Sequence, residues 1–180
     1  MLQLIGYIIF AVLFVYLAAG VVYLFVLAVA GILRKHKKYE PAPRKHRIAL
    51  LIPAYKEDVV ILETARQAAQ HNYPAESFGV FVIADKLKDA TIATLQSIPV
   101  NVIKVQFETS TKAKSLNLAI KHVAGKGFDY VMILDADNIM ERGCLEQVNA
   151  AFENGAGAVQ CHRTAKNKQT PVAVLDAISE

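Results

Sequence analysis

No charged side chain occurs between Met1 and Leu33. A helix rising about 1.5 Å per residue needs only about 20 such residues to cross the hydrocarbon of a bilayer, so this stretch reads as a tilted transmembrane helix over residues 1–33. It also carries the excess of apolar residues, 54% of the chain with a mean hydropathy of +0.30, which is high for a soluble protein. Ala28-Val29-Ala30 resembles the small-residue cleavage site of a signal peptide. The run is too long for one and no basic residue precedes it, so an anchor is the better reading.

Arg34, Lys35, His36, Lys37 and Lys38 follow at once, with Arg44, Lys45 and Arg47 close behind. An excess of Lys and Arg after the helix and none before it places the following part of the chain in the cytoplasm, anchored by a single pass to the cell (inner) membrane. The same run dominates the formal charge of +4; it is a topology signal that touches anionic lipid headgroups, and no nucleic-acid partner is expected. Pro41 and Pro43 break any helix here, so residues 34–44 read as a basic, proline-containing linker and residues 45–180 as the soluble domain. Cys144 and Cys161 have no metal-ligand spacing and read as free thiols, and the five histidines are scattered.

Within the domain, short runs of branched apolar residues alternate with segments of helical period, the pattern of an α/β fold with a parallel sheet. The expected strands are Ile48–Pro53, Val80–Ala84, Val100–Val105, Tyr130–Leu134 and Ala158–Gln160, the first, second and fourth buried on both faces. The expected helices are Val59–Gln70, Thr91–Ser97, Lys112–Val123 and Gly143–Phe152. Ser110 and Thr111 offer cap oxygens to the third helix, and Gly125 and Gly127 can end it in the left-handed conformation.

In an open parallel sheet, ligands gather beyond the carboxyl ends of the strands. Three runs end in polar residues: Pro53-Ala54-Tyr55-Lys56-Glu57, Asp85 with Asp89 four residues on, and Asp135-Ala136-Asp137. No glycine-rich dinucleotide turn or P-loop occurs, which argues against nicotinamide and ATP chemistry. Carboxylates spaced Asp-x-Asp suit Mg²⁺ or Mn²⁺, hard cations that take oxygen ligands and substrate phosphates together, so a diphosphate ligand is expected. Lys112 can aim positive charge at that phosphate. Each residue taken alone has a plainer reading: a solvated acidic loop for Asp135 and Asp137, a solvated helix lysine for Lys112, a packing ring for Tyr55, and for Glu57 a favourable charge at a helix N-terminus.

Four motifs in this order resemble the cytosolic domain of family 2 glycosyltransferases. Ile52-Pro53-Ala54-Tyr55-Lys56-Glu57 is similar to the family's Pro-Ala-Tyr-Asn-Glu opening, and Val82-Ile83-Ala84-Asp85 with Asp89 to its second-strand motif. Lys112-Ala113-Lys114-Ser115-Leu116-Asn117 resembles Lys-Ala-x-Ala-Leu-Asn, and Leu134-Asp135-Ala136-Asp137 its metal-binding Asp-x-Asp. The resemblance covers roughly residues 48–160 and implies a GT-A fold, a Rossmann-like open, mainly parallel sheet with flanking helices. It implies that Pro53, Ala54, Tyr55, Glu57 and Asp85 surround the base and ribose of a nucleotide sugar, with Lys112 near the phosphates or base and Asp135 near the ribose or sugar. Asp137 is then the metal ligand, with Asp135 a second candidate, and Mg²⁺ or Mn²⁺ the cofactor.

The implied reaction is inverting transfer of a sugar from a donor, UDP-linked, to a glycan or lipid-linked acceptor. Lys56 stands where the family commonly has Asn. Relatives of this kind continue into an acceptor-binding part with a Glu-Asp or Thr-Glu-Asp base motif and often Gln-x-x-Arg-Trp; neither motif occurs here, and the sequence has no tryptophan. Asp176 and Glu180 lie too close to the Asp-x-Asp and lack the surrounding motif, so no catalytic base is assigned. Residues 172–180 read as the start of a helix. The expectation is the N-terminal, nucleotide-sugar-binding part of a longer membrane enzyme, its missing half or a partner subunit supplying the base. The alternatives are a binding module without turnover and a small membrane interaction protein.

Overall fold

The computed structural model describes residues 1–33 and 39–164; the expected helix at 172–180 lies outside them. Contacts divide the chain into two units, Met1–Lys38 and Tyr39–Glu180. In the first, α1 runs over Leu2–Leu33 without a break, about 48 Å at 1.5 Å per residue. It is apolar on every side and is the one helix among the described residues long and apolar enough to cross a membrane.

The second unit holds a four-stranded sheet of β1 (Ile48–Tyr55), β2 (Phe78–Asp85), β3 (Asn101–Val105) and β4 (Tyr130–Ile133), in the order β3-β2-β1-β4. All pairings are parallel, with Tyr55 opposite Asp85 and Leu51 opposite Ile133. Connections between neighbouring parallel strands need crossovers, and the helices α2 (Ile61–Ala69), α3 (Asp89–Gln96) and α4 (Lys112–Val123) provide them, with α5 (Cys144–Glu153) after β4.

Side chains alternate across a strand, so one strand feeds two cores. Leu50, Ile52 and Ala54 of β1 join Val80, Val82 and Ala84 of β2 against Ile61, Ala65 and Leu95 of α2 and α3. On the opposite face Ala49, Leu51, Phe81 and Ile83 pack on Ala119 and Val123 of α4. Burial of each such Leu or Ile contributes about 1.5–3 kcal/mol. Together the two cores fix the carboxyl ends of β1 and β2 side by side.

Two expectations fail. Ala158–Gln160 forms no strand; three residues after Gly155 and Gly157, with a single branched side chain, offer too few ladder bonds to hold an edge. β4 is not buried on both faces either, since Val131 and Ile133 are 39% and 47% exposed. The cause is topological: among the described residues β4 lies at the end of the strand order, and α4 packs mainly over β1 and β2. The turn after α4 does use Gly125 and Gly127 at φ of +79° and +76°.

The beginning of the domain is clasped to α5. The buried His46 imidazole meets Glu153 through Nε2 and Asp129 through Nδ1 at 3.3 Å, Lys45 pairs with Glu146, and Asn149 donates to the Arg44 carbonyl at 2.8 Å and accepts from His46 N–H at 3.0 Å. Tyr73 donates its hydroxyl to the His46 carbonyl at 2.8 Å, and burial pushes that phenol up to about 12.

Candidate nucleotide-sugar site

At the carboxyl ends of the strands a cleft of about 400 Å³ opens, within the range that small-molecule ligands occupy. The eight residues picked out in the sequence all line it: Pro53, Ala54, Tyr55 and Glu57 from β1 and the loop after it, Asp85 from the end of β2, Lys112 from the start of α4, and Asp135 and Asp137 from the loop after β4. Ser110, Thr111, Ser115, Ala136 and Arg163 complete the wall. Asp89 instead begins α3 and Lys114 turns back to the Thr109 carbonyl at 2.8 Å, both outside the cleft.

Local bonds hold this rim in place. The Thr64 hydroxyl of α2 donates to the Ala136 carbonyl at 2.7 Å, a buried bond that pins the loop between Asp135 and Asp137, and Asn138 N–H closes the turn on the Asp135 carbonyl at 3.0 Å. Thr111 caps α4 by accepting from Lys114 N–H at 3.2 Å. The Asp58 carboxylate accepts from the Thr91 hydroxyl at 2.6 Å and from Lys88 N–H at 2.9 Å, which ties the loop after β1 to the start of α3. These bonds, the Thr91 hydroxyl first, hold the Asp58 carboxyl below the usual aspartate range.

Asp85 is the exceptional group. It is 1% exposed, and neither carboxylate oxygen has a hydrogen-bond partner among the described residues. A buried acceptor left unpaired costs about 1–3 kcal/mol, and more when charged, so a site that keeps one is shaped for a donor from outside. Lys112 donates to Asp135 across the cleft. Both partners are partly exposed, so the pair is solvent-screened and easily exchanged. Asp137 is exposed, and its carboxylate makes no bond to another described residue.

The Tyr55 ring is 46% exposed at the cleft mouth, with Lys56 Nζ at 5.2 Å and Lys86 Nζ at 5.8 Å from its centroid. Both lysines are in the left-handed region, at φ of +56° and +55°, the two non-glycine residues so placed among those described. Such strain outside glycine concentrates at functional sites. The backbone joins them to the rim, Lys56 N–H donating to the Asp85 carbonyl at 3.1 Å. Nothing in the local sequence announces this conformation.

Four carboxylates (Glu57, Asp85, Asp135, Asp137) face two cationic side chains (Lys112, Arg163) in the cleft. An anionic ligand entering it needs added positive charge. Among the described residues no three His, Cys, Asp or Glu side chains gather as a closed metal cage. The donor set present, two loop carboxylates open to solvent, still fits Mg²⁺ or Mn²⁺, which bind through one or two carboxylates together with substrate phosphates.

Residues 43–179 match the family model described as glycosyltransferase like family 2. The chain belongs to this family. It is 28% identical over 123 residues to glucans biosynthesis glucosyltransferase H of Rhodopseudomonas palustris, covering 61% of this chain and 17% of that protein. Over 100 residues it is 28% identical to the cellulose synthase 1 catalytic subunit [UDP-forming] of Komagataeibacter xylinus, covering 55% and 13%. The chain thus spans a small part of the curated relatives it matches. Among solved structures, the mannosyltransferase PcManGT from Pyrobaculum calidifontis, in complex with GDP-Man and Mn²⁺, superposes with a TM-score of 0.64 at 23% identity, covering 81% of this chain and 44% of that one. S. aureus TarS 1-349 in complex with UDP-GlcNAc gives 0.51 at 23% identity, covering 63% and 37%. The family 2 domain therefore has the GT-A fold.

Proposed function

We propose that the cleft binds a UDP-linked sugar with Mg²⁺ or Mn²⁺ and that this chain forms the donor-binding part of an inverting glycosyltransferase acting on a glycan or lipid-linked acceptor. The observation that carries the reading is the buried, unpartnered Asp85 carboxylate in one cleft with Lys112 and two loop aspartates. Asp85 accepts an N–H or hydroxyl of the nucleoside, and Tyr55 offers its exposed ring to the base. Lys112, released from Asp135, meets the diphosphate, while Asp137, with Asp135 beside it, holds the cation. A bound cation neutralises the charge that develops on the departing diphosphate. The chain's own contribution is orientation and a fixed electrostatic field, usually a large part of a rate enhancement.

Two similarities support the donor class: the cellulose synthase relative is UDP-forming, and the TarS and mannosyltransferase structures hold nucleotide sugars. The anchor reading of α1 and the basic residues after it support a single-pass protein of the cell membrane with this domain in the cytoplasm. Acceptor activation belongs to a carboxylate outside the cleft described, on a further part of the enzyme or a partner subunit.

Calorimetric titration of UDP into the detergent-solubilised chain tests this. Binding should require Mn²⁺, vanish with chelator and weaken at least about tenfold in Asp137→Ala, the loss expected for one charge-assisted contact. A folded chain that ignores UDP with and without Mn²⁺ would sink the proposal in favour of a membrane interaction protein.

A further inference from the structure

Cys144 is the first residue of α5, and Cys161 lies in the irregular segment that follows that helix. Their sulfurs are 3.8 Å apart. The helix that carries Cys144 is firmly seated, with Leu145 and Asn149 fully buried and Asn149 bonded to Arg44 and His46. Residues 156–164 join no strand ladder, yet Arg163, two residues beyond Cys161, lines the donor cleft. A bond between the two sulfurs would therefore tether a cleft wall to a fixed element.

We propose that Cys144 and Cys161 are a modification site: a reversible disulfide, formed by exchange with a low-molecular-weight disulfide, that clasps the Arg163 segment at the cleft and tightens donor binding. This rests on the donor reading given above. The sulfurs need to approach from 3.8 Å to the bonded length of about 2.05 Å. Among the described residues no third His, Cys, Asp or Glu joins the pair, so a metal lacks ligands here.

The two thiols are chemically unequal. Cys161 is exposed and is lowered to about 7 by the hydrogen bond from Cys144, which makes it the readier of the two to act as a thiolate. Cys144, half-buried, is raised by the same bond and by burial. The Cys161 thiolate attacks one sulfur of the small disulfide and expels one small thiolate. Cys144 then attacks the Cys161 sulfur of the mixed disulfide, loses its proton and expels the second. The protein is oxidised by two electrons, the small disulfide is reduced by two, and both protons end on the released small thiols. A bond with one exposed sulfur, that of Cys161, is also readily reduced, which suits a regulatory bond rather than a structural one.

The full chain in detergent, treated with oxidised or reduced glutathione, should lose the two thiol hydrogens by intact mass on oxidation. It should then bind UDP about three- to tenfold tighter, the gain expected from pre-ordering one long side chain. Limited trypsin digestion should cut after Arg163 more slowly in the oxidised form. Cys161→Ser should abolish all three responses. Arg163→Ala should keep the mass change and lose the gain in affinity.

Separate glutathione adducts on each cysteine, or equal UDP affinity and equal cleavage in both redox states, would overturn the proposal. If UDP bound neither form while disulfide formation and tryptic protection appeared, the donor reading would fail and the clasp would stand.

Discussion

At Asp85 the protein keeps a carboxylate away from water with neither oxygen bonded to a described residue, a cost that a ligand donor would recover on binding. Asp85→Asn should therefore raise the melting temperature, or leave it unchanged, while weakening UDP binding by about tenfold or more, a trade of stability for function read from one melt and one titration. Tyr73 and Asp58 titrate in opposite senses. The Tyr73 phenol is raised from 10.0 to about 12, so its contribution is full below pH 10 and is lost as pH rises through 12. Tyr73→Phe should cost about 1 kcal/mol at neutral pH and flatten the alkaline limb of the stability curve. The Asp58 carboxyl is lowered below 3.8, so its contribution is present above that pH and is lost as pH falls through the folded value. Asp58→Ala should lower the neutral melting temperature and remove part of the acid limb. At this scale the cleft was largely legible in the sequence, because carboxylates that follow apolar runs must arrive at one edge of a parallel sheet. Arg163 escaped notice because a return of the chain, not a local pattern, brings it there. The left-handed lysines were equally hidden, since backbone strain at Lys56 and Lys86 leaves no signature in residue type.

Among the elements, β1 and β2 were readable because strands covered on both sides carry uninterrupted branched apolar residues. Tyr130-Val131-Met132-Ile133 has the same look, yet its rank in the strand order, which composition does not encode, leaves Val131 and Ile133 exposed. Helix α4 was legible over its whole length, its start set by the Thr111 cap. The loop after β4 is held by α2 through the Thr64 hydroxyl, a contact between positions 72 apart that no window of sequence would reveal. Thr64→Val keeps the shape of the side chain and removes this donor. It should destabilise the domain by about 1–2 kcal/mol and weaken Mn²⁺-dependent UDP binding, checked by denaturant unfolding alongside calorimetry; unchanged UDP binding would show that the loop holds its shape without α2.

For the molecule as a whole, Val131 and Ile133 expose apolar surface on a strand whose outer edge is unpaired among the described residues, a liability for self-association. Val131→Lys with Ile133→Lys should reduce light scattering of the purified chain without altering UDP affinity. Because every strand points the same way, the chain enters the domain at the edge opposite the cleft, and β1, about 26 Å long at 3.3 Å per residue, lies between. The His46, Lys45 and Asn149 clasp sits at that entering edge and grips α5 and Asp129. Load applied at Arg44 and Lys45 is thus shared across several side chains at the base of the sheet, while the loops at the far edge hang from bonds of their own. The clasp works as a strain relief, holding the entry of the domain with bonds separate from those that shape the cleft.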